Sequence, residues 1–334
     1  QVLAHAIESV NGKSDMHRVA ICGGNGVLGQ RLAKALMLDG CSVFLLDDYE
    51  GFHKGKKRMP LLGDAPFKGS CEHVQADLTQ WGDWTSSFDK IDAVVHFAAV
   101  NPYPEATWEE SRLSMRMSAN VIAAAQRAGI RRLVLASSSH VLGGYLQDGA
   151  HLSSEAALLG PKTPLRHFTK FRLPGLETDA SGYATAKVAM EEMAEAVATA
   201  SPNLSIVVIR IGWCQPGENH PRQMTATATP TISGDTVATK VSVEDEVAQG
   251  YDSRNLILAW LHRLWLSTPD FEQLFKCAIQ SNNVKHYLCV SGVSRNKDMR
   301  WSTAGWDTLG YEPVDDVEQA LKDNEPTVKR QKTL

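Results

Sequence analysis

Short apolar runs alternate with helical periodicities along most of the chain. Val19-Ala20-Ile21-Cys22 reads as a buried strand, after which Leu32, Ala35 and Leu36 recur at the spacing of one helix face. Residues 42–46 read as a second strand ending in Asp47-Asp48, and residues 72–76 as a third. The apolar run at 93–98 suits a parallel strand covered on both faces. A helix is expected from about 108 to 128, then strands at 133–136 and 205–211. Helical periodicity returns over 256–279, and residues 287–290 read as one more strand. Strands separated by helices imply an α/β fold with a doubly wound parallel sheet.

Two stretches interrupt this alternation. Residues 143–182 are rich in Gly, Pro and charge, and residues 215–246 in Thr, Pro and Gly. Loops of that length inside a compact domain are usually lids or binding loops.

The chemistry starts in the first turn. Gly23, Gly26 and Gly29 form G-x-x-G-x-x-G between a strand and a helix. The first glycine permits the tight turn, the second lets the backbone approach a pyrophosphate, and the third allows close helix–strand packing. The helix N-terminus then faces the anion, with the backbone of Asn25, Gly26, Val27 and Leu28 around it. This is a Rossmann-type dinucleotide site, and it divides the chain. Residues 1–15 read as an N-terminal extension, since Met16-His17-Arg18 looks like a natural start. Residues 16–212 read as the NAD-binding domain. Residues 213–334 read as mainly a smaller substrate-binding lobe, with a strand near 286–293 returning to the sheet.

Asp47 ends the second strand, where a carboxylate hydrogen-bonds the adenosine ribose and repels a 2′-phosphate, which favours NAD over NADP. Lys54, Lys56, Lys57 and Arg58 follow and offer a competing clamp for a 2′-phosphate, or a solvated loop. Asp77, with Leu78, is placed to meet the adenine amino group or to cap a helix. Ala98, closing the fourth strand, is expected against the cofactor.

Tyr183 and Lys187 form Y-x-x-x-K, one helical turn apart and so on one face. A neighbouring ammonium and a nicotinamide cation favour the phenolate, which makes Tyr183 a usable base near neutral pH. The pattern gains specificity from the fifth strand, which runs into Ser137-Ser138-Ser139-His140.

On these motifs the chain resembles the extended short-chain dehydrogenase/reductase family, from about residue 16 onward. The resemblance implies that Ser138 positions the substrate hydroxyl, Tyr183 is the acid/base, and Lys187 binds the nicotinamide ribose. Within that family the chain looks most like the uronate dehydrogenases. The matching segments are Ser137-Ser138-Ser139-His140-Val141-Leu142-Gly143, Arg210-Ile211-Gly212 with Arg222 twelve positions on, Val290 to Ser294 before Trp301, and Leu309-Gly310-Tyr311. It implies that Asn101, Ser138, Ser139 and His140 contact a sugar and that Arg222 holds its carboxylate, a pairing suited to a guanidinium. Packed or surface roles are the alternatives for His140 and Arg222, and structural roles are expected of His96 and Trp213-Cys214. The chain departs from the pattern at Ser114, where the resemblance puts an asparagine, at Cys22, where it puts a threonine, and in insertions before Tyr183 and after Arg222.

The expected activity is NAD-dependent oxidation of the anomeric carbon of a sugar acid to a lactone. A nucleotide-sugar epimerase or dehydratase of the same fold is the alternative, and a non-catalytic NAD sensor is a third, opposed by the intact Ser138, Tyr183 and Lys187. Charge adds exclusions. A net charge of −4 gives no reason to expect nucleic acid or an anionic membrane as a partner. No apolar run approaches the ~18 residues needed to span a bilayer, and the N-terminus lacks a signal-peptide core. The six scattered cysteines, with no C-x-x-C pair, read as reduced thiols of a cytosolic protein without disulfides or a metal site. The basic tail from Lys329 to Lys332 reads as a solvated terminus. Self-association is an expectation of the resemblance.

Overall fold

The computed structural model describes residues 17–48, 66–101, 106–146, 158–173, 176–214, 216–217, 219–223 and 259–323. The extension at 1–15, the Lys54–Arg58 cluster, the basic tail and most of the stretch at 215–246 lie outside the described residues.

Seven parallel strands form the main sheet in the order β3-β2-β1-β4-β5-β8-β9. They are β1 (Arg18–Cys22), β2 (Ser42–Asp47), β3 (Ser70–Gln75), β4 (Ala93–His96), β5 (Arg132–Ser138), β8 (Ser205–Ile211) and β9 (Tyr287–Gly292). The winding reverses between β1 and β4, and ligands of such sheets lie beyond the carboxyl ends of the strands at that point. Side chains alternate across the sheet, so each strand feeds two cores. Val19 and Ile21 face one, with Leu32, Leu36, Phe271 and Phe275. Ala20 and Cys22 face the other, with Val121, Ile122, Met190 and Ala194. The first core is covered by α1 (Val27–Leu38) and α4 (Thr268–Gln280), and the second by α2 (Trp108–Arg127) and α3 (Ser181–Ala200).

Helix starts follow local chemistry. Thr107 and Glu110 form a capping box, the Thr107 hydroxyl accepting from Glu110 N at 3.2 Å and the Glu110 carboxylate from Thr107 N at 2.8 Å. Ser267 Oγ accepts from Asp270 N at 3.1 Å and Pro269 sits in the first turn of α4, so the expected helical stretch at 256–279 breaks at 265–267. The fourth strand is shorter than its apolar run. Phe97 N and Ala98 N leave the ladder and both donate to Cys22 O, which turns the chain across the end of β1.

Within the stretch expected as loop at 143–182, the structure places a separate antiparallel hairpin of β6 (Lys170–Leu173) and β7 (Leu176–Asp179). Beyond β8 the chain returns to the sheet through α4 and β9. The last described elements are α5 (Trp306–Leu309) and α6 (Val317–Asp323), with Trp306 Nε1 and Tyr311 Oη donating to Ser291 O and Val293 O. Among the described residues no helix is long and apolar enough to cross a membrane, no group of metal-ligating side chains gathers, and all six cysteines are free.

Candidate active site

The glycine turn closes the carboxyl end of β1. Gly23 adopts φ +82°, and a Cβ there would lie 2.6 Å from Ala98 N. Only glycine accepts both constraints. Gly24 abuts Leu45, and Gly29 packs against the backbone of Gly23 and Gly24, which seats α1 on the strand. Gly26 is the N-cap of α1 without a side-chain cap, and a Cβ on it would meet only Gly23 O, at 3.1 Å. The turn is therefore tight on its protein side and open at the helix start, where the first amides lack intrahelical partners. That is a cradle for a pyrophosphate. Within the expected Asn25–Leu28 run, Asn25 N is committed elsewhere: it donates to Asp47 Oδ2 at 2.8 Å.

Asp47 is buried at the end of β2, and its other oxygen accepts Asp48 N at 3.0 Å. Both oxygens of this side chain act as acceptors, the kind of partner to which the hydroxyls of a ribose diol donate. Its charge adds to burial in pushing the Cys22 thiol far up, so Cys22 is an inert packing residue where a threonine was expected. Asp77 accepts from Thr79 N at 2.9 Å and Thr79 Oγ1 at 2.6 Å, closing a short turn after β3. Leu78 is buried beneath it, its carbonyl taking Asn120 Nδ2 at 2.8 Å.

A recess opens between the end of β4, α2 and α3, lined among others by Ala98, Asn101, Ser114, Tyr183 and Lys187. Tyr183 and Lys187 project from one face of α3, with Lys187 Nζ 5.7 Å from the Tyr183 ring centroid. Lys187 Nζ donates to Ala136 O at 2.7 Å, which fixes it against the end of β5. Ser138, the last residue of β5, lies close enough to Tyr183 to pull its phenol down. The Ser138 hydroxyl also accepts His140 N at 3.2 Å, starting the 3-10 turn Ser139–Tyr145. Ser138, Tyr183 and Lys187 are thus brought together as the sequence predicts.

Electrostatics divides their roles. Burial pushes the Tyr183 phenol up, and the neighbouring Ser138 hydroxyl opposes this only in part, so the phenol stays above its ordinary value. Burial lowers the Lys187 ammonium to about 8, opposed by the Glu191 carboxylate one turn on. His140 is held neutral, pushed down to about 4 by burial, with Nδ1 2.9 Å from Thr169 Oγ1 and its ring edge-on to Tyr183 at 5.8 Å. A neutral, oriented imidazole beside the Tyr183 phenol can exchange hydrogen bonds with a hydroxyl group. Ser139 is buried in the turn. Asn101 lies at the rim, its amide 3.5 Å from the Glu110 carboxylate. Ser114, at the position of the resemblance's asparagine, accepts Val100 N at 3.1 Å and donates to Glu110 O at 3.0 Å. His96 is buried and neutral, near 3 through burial and the Lys187 charge, its Nε2 3.1 Å from Ser118 Oγ.

Arg222 is placed differently from this set. It is half-buried in the short 3-10 turn Pro221–Gln223, and its Nη2 donates to Leu321 O at 2.6 Å, on α6. His220 Nε2 lies 3.1 Å from Ala320 O, so the segment after β8 grips the last helix. Sequence reasoning assigned no role to Thr169, Glu191 or the Arg210 side chain. Thr169 lies in a stretch without periodicity. Glu191 was accessible, because it extends the Tyr183–Lys187 spacing by four more residues.

The chain is similar to several known proteins. L-arabinose 1-dehydrogenase (NAD(P)(+)) of Haloferax volcanii is 26% identical over 306 residues, covering 90% of this chain and 97% of that protein. Uronate dehydrogenase of Pseudomonas syringae pv. tomato is 26% identical over 264 residues, covering 76% and 70%. The crystal structure of uronate dehydrogenase from Agrobacterium tumefaciens superposes with a TM-score of 0.58 at 21% identity, covering 95% of this chain and 92% of that one, and so shares the fold. Residues 19–232 match the model of the NAD dependent epimerase/dehydratase family, and the chain belongs to that family.

Proposed function

We propose that the protein is an NAD-dependent dehydrogenase that oxidises the anomeric carbon of a sugar, with a uronate-type sugar acid as the first candidate. The observation that carries this reading is the convergence of Ser138, Tyr183 and Lys187 beside a recess at the switch point of the sheet. The glycine turn, the start of α1 and Asp47 would hold the dinucleotide, and Lys187 its nicotinamide ribose. When bound, the dinucleotide supplies a ring that accepts the anomeric hydride and whose positive charge favours the phenolate.

The chain's own residues manage the proton. Ser138 aligns the anomeric hydroxyl, and Tyr183 removes its proton as the C1–H bond breaks. The C1–O bond becomes the carbonyl of a lactone. The Lys187 ammonium stabilises the phenolate; it is lost as pH rises through about 8, so the rate is expected to fall above that pH. His140 offers the sugar a neutral hydrogen-bonding edge.

The acid group of the substrate is assigned to Arg222, on the resemblance alone. A neutral aldose is the second reading, favoured by the bond that Arg222 makes to Leu321 O. Absorbance at the NADH band, with NAD and a panel of glucuronate, galacturonate, glucose, galactose and arabinose, separates them. A rise with the uronates alone supports Arg222 as the anchor. A rise with the neutral sugars alone keeps the dehydrogenase and removes the uronate.

A further inference from the structure

Tyr183 and Lys187 do not end the polar face of α3. One turn further on lies Glu191, which is buried. The three residues meet the last three residues of β5. Tyr183 neighbours Ser138, Lys187 bonds Ala136 O, and Glu191 Oε1 accepts Ser137 Oγ at 2.5 Å. The Ser137 hydroxyl thus ties the strand immediately before Ser138 to the helix immediately after Lys187.

Glu191 is itself held from the other side. Arg210 is the register partner of Ser137 on β8. Its Nη2 donates to Glu191 Oε2 at 2.8 Å and its Nε to Oε1 at 3.1 Å, with both side chains 5% exposed. Arg210 Nη1 donates to Gly160 O at 3.0 Å, which fixes the segment ahead of Thr169, the partner of His140. A buried ion pair of this kind is no strong source of stability, because desolvating two charges offsets most of their attraction. Its position accounts for it better than its stability does.

We propose that Glu191, clamped by Arg210, is a positioning residue of the active site: through Ser137 it fixes the end of β5 beneath Ser138, and it sets a fixed negative charge one turn from Lys187. Arg210 positions Glu191. Neither touches substrate or cofactor. The inference rests on the reading of Ser138, Tyr183 and Lys187 as the reacting set. The groups facing Lys187 are Tyr183 and Glu191 from its own helix and His96 from β4. Tyr287 and Cys289 from β9, together with Glu195, face Glu191 and Arg210. Of the groups facing Lys187, Glu191 alone opposes the effect of burial on it.

The test uses two variants and two readouts. Glu191→Gln with Arg210→Met removes both charges, so no unpaired buried ion is left to unfold the chain. Ser137→Ala removes one hydroxyl and keeps the ion pair. The titration of Lys187 is followed by NMR of ¹³C-labelled lysine in the protein without substrate, its signal assigned by its loss in Lys187→Met. In the double variant the Lys187 midpoint is expected to fall by about one pH unit. In Ser137→Ala it is expected to stay, while kcat falls about tenfold at constant KM, the loss of one charge-assisted hydrogen bond. An unmoved midpoint in the folded double variant, or full kcat in Ser137→Ala, would overturn the proposal. Ser137→Ala decides alone if the double variant does not fold. A midpoint that moves in a protein that oxidises no sugar leaves the positioning role standing and removes the sugar reading instead.

Discussion

Tyr183→Phe is expected to lower kcat by about 10³-fold, the range lost when a positioned general base is removed, and to leave NAD binding nearly unchanged. The phenol oxygen is the only group the substitution removes. The ring stays packed edge-on to His140 on α3, and Lys187 keeps its bond to Ala136 O. Ser138 still accepts His140 N, so the turn after β5 persists. Burial alone pushes this phenol up, so its use as a base depends on what surrounds it. Steady-state kinetics with a fluorescence titration of NAD separates the two effects. Unchanged turnover would remove Tyr183 as the base, and NAD binding without turnover in the unsubstituted protein would assign it to cofactor sensing. Lost NAD binding would mean that the ring holds the turn and the recess together.

Gly23→Ala is expected to have the second largest effect, on stability and cofactor binding together. The new Cβ would require φ +82° of an alanine and would lie 2.6 Å from Ala98 N. The left-handed conformation costs on the order of 1–3 kcal/mol, and relieving the overlap costs a similar amount. Relief must come from moving the end of β4 or the turn itself. Either shift displaces Gly26 and the start of α1, so NAD affinity is expected to fall at least tenfold along with the urea midpoint. Gly129 makes the control: it also has positive φ (+69°), but nothing lies within 4 Å of its added Cβ. Gly129→Ala should cost only the conformational part and leave NAD binding intact.

The central parallel strands were legible because they are buried on both faces, which leaves continuous apolar runs such as those of β4, β5 and β8. Boundaries were less legible where tertiary contacts end an element. Phe97 and Ala98 continue the apolar run of β4 but bend away to bond Cys22 O. The β6–β7 hairpin escaped because its strands pair only with each other. Its ends, Lys170 and Asp179, are joined by an exposed ion pair.

The site shows the same division. Tyr183 and Lys187 are read from spacing because one helix carries both. Gly23, Gly26 and Gly29 are read from the turn they permit. Asp47 is read from its place at the end of β2. Arg222 has only a count of residues from Arg210 behind it, and a count says nothing about where a side chain points after the chain has left the sheet. Its bond to Leu321 O joins segments 99 residues apart. Thr169 meets His140 from 29 positions along the chain, a pairing that no spacing rule gives. Glu191 was within reach of helical spacing. Its partner Arg210, however, reaches it through sheet register, which no single sequence prints.

The central claim is net hydride removal from the anomeric carbon. A sugar from the panel, deuterated at C1, mixed with NAD and followed by mass spectrometry of cofactor and sugar, tests it most directly. One deuterium is expected on each reduced cofactor formed, with an equal amount of lactone that has lost it. Deuterium retained in a sugar of inverted stereochemistry, with no net reduced cofactor, would contradict the claim and assign the site to epimerisation.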